Sequence, residues 1–418
     1  MVRWAKQLVI SASLAACCLA AYCLPASAEV FFVTMPFKGP RGSFVTVQDR
    51  YHTFRIPGMI VTADGTILAF AEGRRGDGDD PRIDANAPAD IVMRRSTDQG
   101  QTWEPLVVID SGFRPNGDLV DFGDPTPVLD ATTGMVFLFY GQFPDFGPRF
   151  SAYGQSADPK QGNQTLWVRS SNDNGKTWSE RKQIDYPDAP QETSDGLYWR
   201  YLEPGPGNGI QLKWQQDEAR NGRLVVPVKR AGSKTPEGEA VVNPLVYYSD
   251  DHGTTWQPGG VSPDPEGNEN EVVELADGSL LMDARPDVGT FRRRFLSRDG
   301  GATWGPNNPD NIPLTRVDAS LARYSASRDG DDRDRLLFSA PGGEGRPGRA
   351  NLTIWTSYDE GKSFSNPVQF NQGFAAYSVV QRLADGTIGL LVEADADSNE
   401  DYGSITFYRF DLAELEQK

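Results

Sequence analysis

Three segments of this chain gather arginine, carboxylate and tyrosine side chains that could do chemistry. The first is Phe54-Arg55-Ile56-Pro57, followed by Glu72 and Arg74-Arg75. The second is Asn268-Glu269-Asn270-Glu271, followed by Glu274 and Arg285. The third is Gly348-Arg349, followed by Tyr377-Ser378. An acidic stretch at residues 76–90 adds Asp77, Asp79, Asp80, Asp84 and Asp90. The chain has two histidines, His52 and His252, and its three cysteines, Cys17, Cys18 and Cys23, all lie within the first 28 residues. This sets aside a Ser-His-Asp mechanism, a multi-histidine metal site and a cysteine nucleophile. Whatever is catalysed must run on Asp, Glu, Arg and Tyr. Residues 77–84 hold oxygen ligands that could bind calcium, but a solvated loop is the simpler expectation, and no metal or other cofactor is expected.

The elements that must position these residues are announced by an octapeptide, Ser-x-Asp-x-Gly-x-x-Trp/Phe. It occurs five times, beginning at Ser96, Ser171, Ser249, Ser297 and Ser357. Five matches at four fixed positions mean that one supersecondary unit is built repeatedly. The Asp side chain can accept from backbone amides two or three residues on and close a tight hairpin. The Gly supplies a positive φ, and the ring that follows opens the next strand and buries its area. Asp98, Asp173, Asp251, Asp299 and Asp359 therefore read as turn staples, because a catalytic residue is not needed five times. The copies lie 75, 78, 48 and 60 residues apart. Such lengths fit four-stranded antiparallel sheets, which close radially into a propeller. Five marked blades plus the strand-rich stretch 377–412 predict an all-β, six-bladed β-propeller. Residues 29–35 could pair with the last blade and protect an open edge. Alternation along a strand splits Arg292-Arg293-Arg294 between two faces, so this basic run reads as structural.

Residues 1–28 read as a secretory signal, with Arg3 and Lys6 ahead of an apolar run at 8–24 and small residues at 26–28. Lipoprotein processing at Cys17 is a minor alternative. Residues 29–418 then form one domain, secreted or periplasmic, with no segment of membrane-spanning length. Removing Arg3 and Lys6 leaves 39 basic against 58 acidic residues, a net charge of −19. So acidic a chain is a poor general binder of nucleic acid or anionic membrane.

The Phe54-Arg55-Ile56-Pro57 motif, the repeated Asp boxes, Asn268-Glu269 with Ala284-Arg285, and Tyr377-Ser378 follow one another in an order that resembles the bacterial exo-α-sialidases, or neuraminidases. The resemblance spans essentially all of residues 29–418. It implies that Arg55, Arg285 and Arg349 hold the carboxylate of a sialic acid, a task to which planar guanidinium groups are suited. It implies Tyr377 as nucleophile and Glu269 as the base that takes its proton, with Glu271 a nearby alternative. A neutral phenol can approach an anomeric carbon that already bears a carboxylate, where a second carboxylate would be repelled. The general acid is implied to be an Asp of the acidic loop, here Asp84, with Asp80 and Asp79 as runners-up. Arg74 and Asp124 are implied to face the sugar's 4-hydroxyl region.

Taken singly, each Arg is more often a surface ion-pair residue, Tyr377 a core or rim residue and Glu269 a solvated strand-end carboxylate. Their combined order and spacing point to catalysis. The expected activity is hydrolysis of terminal α-linked sialic acids on glycans, glycoproteins or glycolipids, with retention, by a monomer. The alternatives are sialyl transfer or closure to an anhydro sugar, action on a related nonulosonic acid, and a sialoglycan-binding propeller without catalysis.

Overall fold

Each strand pairs antiparallel with its neighbours, and the resulting sheet repeats six times. The computed structural model describes residues 32–38, 51–75, 88–116, 120–143, 155–156, 164–185, 198–199, 201–234, 240–263, 267–287, 289, 291–305, 312, 314, 316–342, 348–371, 373–394, 402 and 404–416. The signal-like segment 1–28 and the acidic residues Asp77, Asp79, Asp80 and Asp84 lie outside them.

Blade I comprises Thr53–Val61, Ile67–Arg74, Ala89–Ser96 and Val107–Asp110. Blade II comprises Asp121–Asp130, Met135–Phe143, Thr165–Ser171 and Lys182–Ile184. Blade III comprises Tyr201–Pro204, Leu224–Lys234, Ala240–Ser249 and Gln257–Val261, with Ile210–Gln211 also paired to its second strand. Blade IV shows Gly267–Glu274, Leu280–Pro286 and Arg293–Ser297. Blade V comprises Ser320–Ser325, Arg335–Pro341, Leu352–Ser357 and Ser365–Gln369. Blade VI takes Ser378–Arg382, Ile388–Glu393 and Ser404–Phe410 from the end of the chain, and its outer strand is Phe32–Lys38 from the beginning. The fold is the expected all-β, six-bladed propeller, closed by the N-terminal strand.

Each Asp box is the turn after a blade's third strand. Blade VI has no box, and its fourth strand comes from elsewhere in the chain. In all five boxes the Ser hydroxyl donates to the Asp carboxylate and accepts from the Gly amide, and that carboxylate accepts from an amide four residues on, all at 2.8–2.9 Å. The reach is longer than the two or three residues expected from the sequence, because the Ser hydroxyl serves the nearer amides. In three boxes the ring packs on the neighbouring blade: Trp103 meets Phe407 of blade VI edge-on, Trp178 meets Phe70 of blade I, and Trp256 meets Phe137 and Phe139 of blade II. Trp256 and Phe364 also lead directly into the strands Gln257–Val261 and Ser365–Gln369, as expected.

The boxes therefore key neighbouring blades together. Six apolar clusters fill the six gaps between blades, for example Met59, Ile67 and Val92 of blade I with Leu391, Ile405 and Phe407 of blade VI. Gly100 shows the double constraint: its φ is +86°, and a Cβ there would lie 2.2 Å from the Phe407 ring. Gly100→Ala is expected to cost roughly 1–3 kcal/mol through overpacking and backbone strain. Thermal unfolding measures this, and an unchanged midpoint would contradict the keying role.

Candidate active site

Strand polarity collects the chemically interesting side chains at one end of the propeller. That end is where a blade's first strand begins, its second ends and its third begins. Arg55, Asp124 and Glu269 sit early in first strands, and Tyr377 immediately precedes one. Arg74, Arg285 and Glu393 close second strands, and Arg349 precedes a third strand. Arg55 and Glu393, 338 apart in sequence, thus become hydrogen-bonded neighbours.

At the centre, the Tyr377 hydroxyl lies 2.7 and 2.8 Å from the two carboxylate oxygens of Glu269. Arg285 Nη1 donates to both, at 2.9 Å to the phenol oxygen and 2.8 Å to Glu269 Oε2. Burial alone would raise the Glu269 carboxyl. The Arg285 and Lys229 cations and the hydrogen bonds more than reverse this and hold it at about 2. Burial and the adjacent Glu269 charge push the Tyr377 phenol well above its ordinary value, despite Arg285 and Arg349. At neutral pH the pair is therefore a neutral phenol donating to a carboxylate, and the phenol can attack only as its proton moves to that carboxylate.

The arginines surround this pair. The guanidinium carbons of Arg55 and Arg349 stand 5.7 and 5.5 Å from the Tyr377 ring centre. Arg349 donates to the Tyr402 hydroxyl at 2.7 Å, and Arg55 lies 4.0 Å over the Tyr402 ring. The three predicted arginines, Glu269 and Tyr377 are thus brought together. Planar donors of one sign converging on a tyrosine can hold a carboxylate beside that tyrosine.

Two strand bulges aim the site. Register shifts separate Arg55 from Gly58 and Gly123 from Thr126. Each bulge carries a non-glycine residue in the left-handed region followed by proline: Ile56 at φ 54° and Asp124 at φ 57°. Such strain persists only where the surroundings enforce it. A buried glutamate enforces each one: Glu393 Oε1 accepts from the Ile56 amide at 2.6 Å, and Glu72 Oε1 accepts from the Asp124 amide at 2.9 Å. Each glutamate also holds an arginine, Arg55 at 2.8 Å and Arg74 at 2.6 Å.

Arg74 and Asp124 therefore lie together, joined through Glu72. Lys229 of blade III then links Asp124 to Glu269, at 3.0 and 3.7 Å. Glu393, Tyr402 and Lys229 were not singled out from the sequence. The available signal for Glu393 and Lys229 was a charge at the end of an apolar run, as in Leu390-Leu391-Val392-Glu393 and Val225-Val226-Pro227-Val228-Lys229. Glu271 is not at the tyrosine. It faces the amide of Asn208, and burial and Asp318 raise its carboxyl well above the ordinary range. Asp90, counted with the acidic loop, is instead a buried strand residue that accepts from Tyr51 at 2.5 Å, from Gly112 at 2.9 Å and from Arg75. The proposed acid Asp84 lies outside the described residues, as does the possible calcium loop at 77–84. Arg292 and Arg294 share the buried Asp283, in keeping with the structural reading of that basic run. Among the described residues no His, Cys, Asp and Glu cluster could hold a metal ion. A cavity of about 310 Å³ lies among Ile60, Leu129, Val273 and Leu321, and Tyr377 does not line it.

A BNR repeat-like domain matches residues 65–390. A sialidase of Paraclostridium sordellii is 30% identical over 85% of this chain and 84% of its own length. A sialidase of Micromonospora viridifaciens is 32% identical over 84% of this chain, which spans about half, 51%, of that relative. The solved Hadza microbial sialidase Hz136 superposes with a TM-score of 0.71 at 26% identity, covering 87% of this chain and 67% of that one.

Proposed function

Because this chain belongs to the BNR-repeat sialidase family, we propose that it is an exo-α-sialidase that hydrolyses terminal α-linked sialic acids from glycoconjugates with retention. The observation that carries the reading is the Tyr377–Glu269–Arg285 cluster within 3 Å contacts, ringed by Arg55 and Arg349. Export by residues 1–28 would put the enzyme where such glycans are exposed.

In this mechanism the three arginines hold the substrate carboxylate and place the anomeric carbon over the Tyr377 oxygen. That oxygen bonds to the carbon as Glu269 takes the phenol proton. The glycosidic bond breaks, and Asp84 gives its proton to the leaving oxygen. In the second half Asp84 takes a proton from water, the water oxygen bonds to the anomeric carbon, the Tyr377–carbon bond breaks, and Glu269 returns its proton to the phenol. Two inversions give retention.

The direct test is release of a fluorescent phenol from its α-sialoside by residues 29–418, with the sugar product identified. Free sialic acid supports hydrolysis. A sialylated acceptor or an anhydro sugar would replace that reading with transfer at the same site. Asp84→Ala is expected to lower turnover of a natural sialoside by about 10²–10⁴-fold. It should spare much more of the aryl rate, because an activated phenol leaves with little protonation. Equal losses on both substrates would remove Asp84 from the acid role and direct attention to Asp80 or Asp79.

A further inference from the structure

The Lys229 ammonium group sits where three blades meet around the base. Lys229 and Glu203 face each other across adjacent strands of blade III, and Lys229 Nζ lies 3.1 Å from Glu203 Oε2, 3.0 Å from Asp124 Oδ2 of blade II and 3.7 Å from Glu269 Oε1 of blade IV. Lys229 is only 5% exposed, and Asp124, Glu203 and Glu269 are buried with it. Burying a lysine is unfavourable unless its charge is paired, and here one cation serves three carboxylates that would otherwise repel one another.

We propose that Lys229 is a positioning residue for catalysis, clamping the Glu269 carboxylate against Tyr377 and keeping it the charged member of that pair. The proposal rests on the sialidase reading above. Two cations grip Glu269 on different oxygens, Arg285 on Oε2 and Lys229 nearest Oε1. They are not equivalent during turnover. The charge of Arg285 is shared with the substrate carboxylate once that is bound, so Lys229 remains the cation devoted to the protein's own carboxylates. The other titratable groups that face Glu269 are the Tyr377 phenol, Asp318 and Asp287. Burial, and after it the Glu269 charge, raises both of these carboxyls, so neither supplies a substitute cation.

The sign of the pH effect follows. Glu269 must be ionised to receive the phenol proton, so activity falls as pH drops through its pKa. Wild-type Glu269 stays ionised down to about 2, and its protonation should not limit kcat/KM above about pH 4. Removing a cation at this range raises a carboxyl by about one unit or more. In Lys229→Met the limb that Glu269 sets in kcat/KM on the aryl sialoside should therefore rise from about pH 2 by about one pH unit or more, with activity restored by pH 7. Lys229→Arg, which keeps the charge, should keep the wild-type limb. Because Lys229→Met strands a surplus of carboxylates and could fail to fold, the paired variant Lys229→Met/Glu203→Gln removes one charge of each sign and should show the same raised limb. A purely structural lysine would lower the melting temperature without moving the limb. A wild-type acid limb in a folded charge-removing variant, or an equally raised limb in Lys229→Arg, overturns the proposal. No turnover by the wild-type protein would instead remove the sialidase reading itself, so the two failures are distinguishable in one assay.

Discussion

Tyr377→Phe is expected to abolish turnover of an aryl α-sialoside, lowering kcat by about 10⁴-fold or more, while sialic acid still binds. The substitution removes one oxygen and leaves the ring between Arg55 and Arg349. Glu269 loses a hydrogen bond but keeps Arg285 at 2.8 Å and Lys229 at 3.7 Å, so it stays charged and in place. The stability change should be only about 1 kcal/mol, the net worth of one hydrogen bond, and a rate loss would not reflect unfolding. The protonation pattern gives a second readout. The phenol is pushed well above its ordinary value, so no tyrosinate accumulates below about pH 10. An alkaline change in rate below that pH would have to come from another group. A Tyr377→Phe variant within tenfold of wild type on the aryl substrate would end the nucleophile assignment. Binding without turnover by the wild type itself would move the protein to the class of sugar-binding propellers.

The propeller was legible because its turn is spelled out in side chains. Ser, Asp, Gly and an aromatic ring recur at fixed spacing, and each has a local physical task. Blade VI, without a box, was found only from residual strand-rich sequence. The closure by Phe32–Lys38 was visible because an apolar, β-rich run at the start of a propeller needs a sheet edge. The gathering of Arg55, Glu269, Arg285, Arg349 and Tyr377 at one end of the propeller was legible from their motifs. The site was not legible where a residue acts on another residue. Lys229 and Glu393 look in sequence like charges that end apolar runs, and their partners lie 105 and 338 positions away. Glu72 stood out in the sequence, but its hold on the Asp124 amide, 52 positions away, did not. Their meaning exists only once strand ends from different blades meet. The box ring was legible in part: local pattern places it at a strand start, which holds for Trp256 and Phe364, but the neighbouring blade on which Trp103, Trp178 and Trp256 pack is not written in the local pattern.

Glu393→Ala should damage both the fold and the site, and the comparison with Glu393→Gln separates the two. Glu393 is fully buried. Its Oε1 accepts from Arg55 Nε at 2.8 Å and from the strained Ile56 amide at 2.6 Å, and its Oε2 accepts from the Tyr377 amide at 3.4 Å. Its own amide donates to the Tyr377 carbonyl at 2.9 Å. One side chain therefore orients Arg55, the bulge that aims it and the backbone of Tyr377, the proposed nucleophile. Alanine removes the carboxylate from a buried guanidinium, a loss of about 3–5 kcal/mol, and frees Ile56 to leave the left-handed region. Glutamine keeps an acceptor for the amide but loses the charge, so its cost should be smaller. For catalysis, Arg55 would lose its alignment towards the substrate carboxylate while Glu269 and Arg285 stay in place. Substrate binding should therefore weaken more than chemistry: KM should rise by about 10–100-fold in Glu393→Gln, as expected for a disturbed charge-assisted contact of about 1.5–3 kcal/mol, with a smaller fall in kcat. Melting temperature and steady-state kinetics on the aryl sialoside check both halves. A Glu393→Gln variant whose kcat falls with KM unchanged would show that the carboxylate acts chiefly through the Tyr377 backbone, and Arg55 would then owe its position to its stacking on Tyr402.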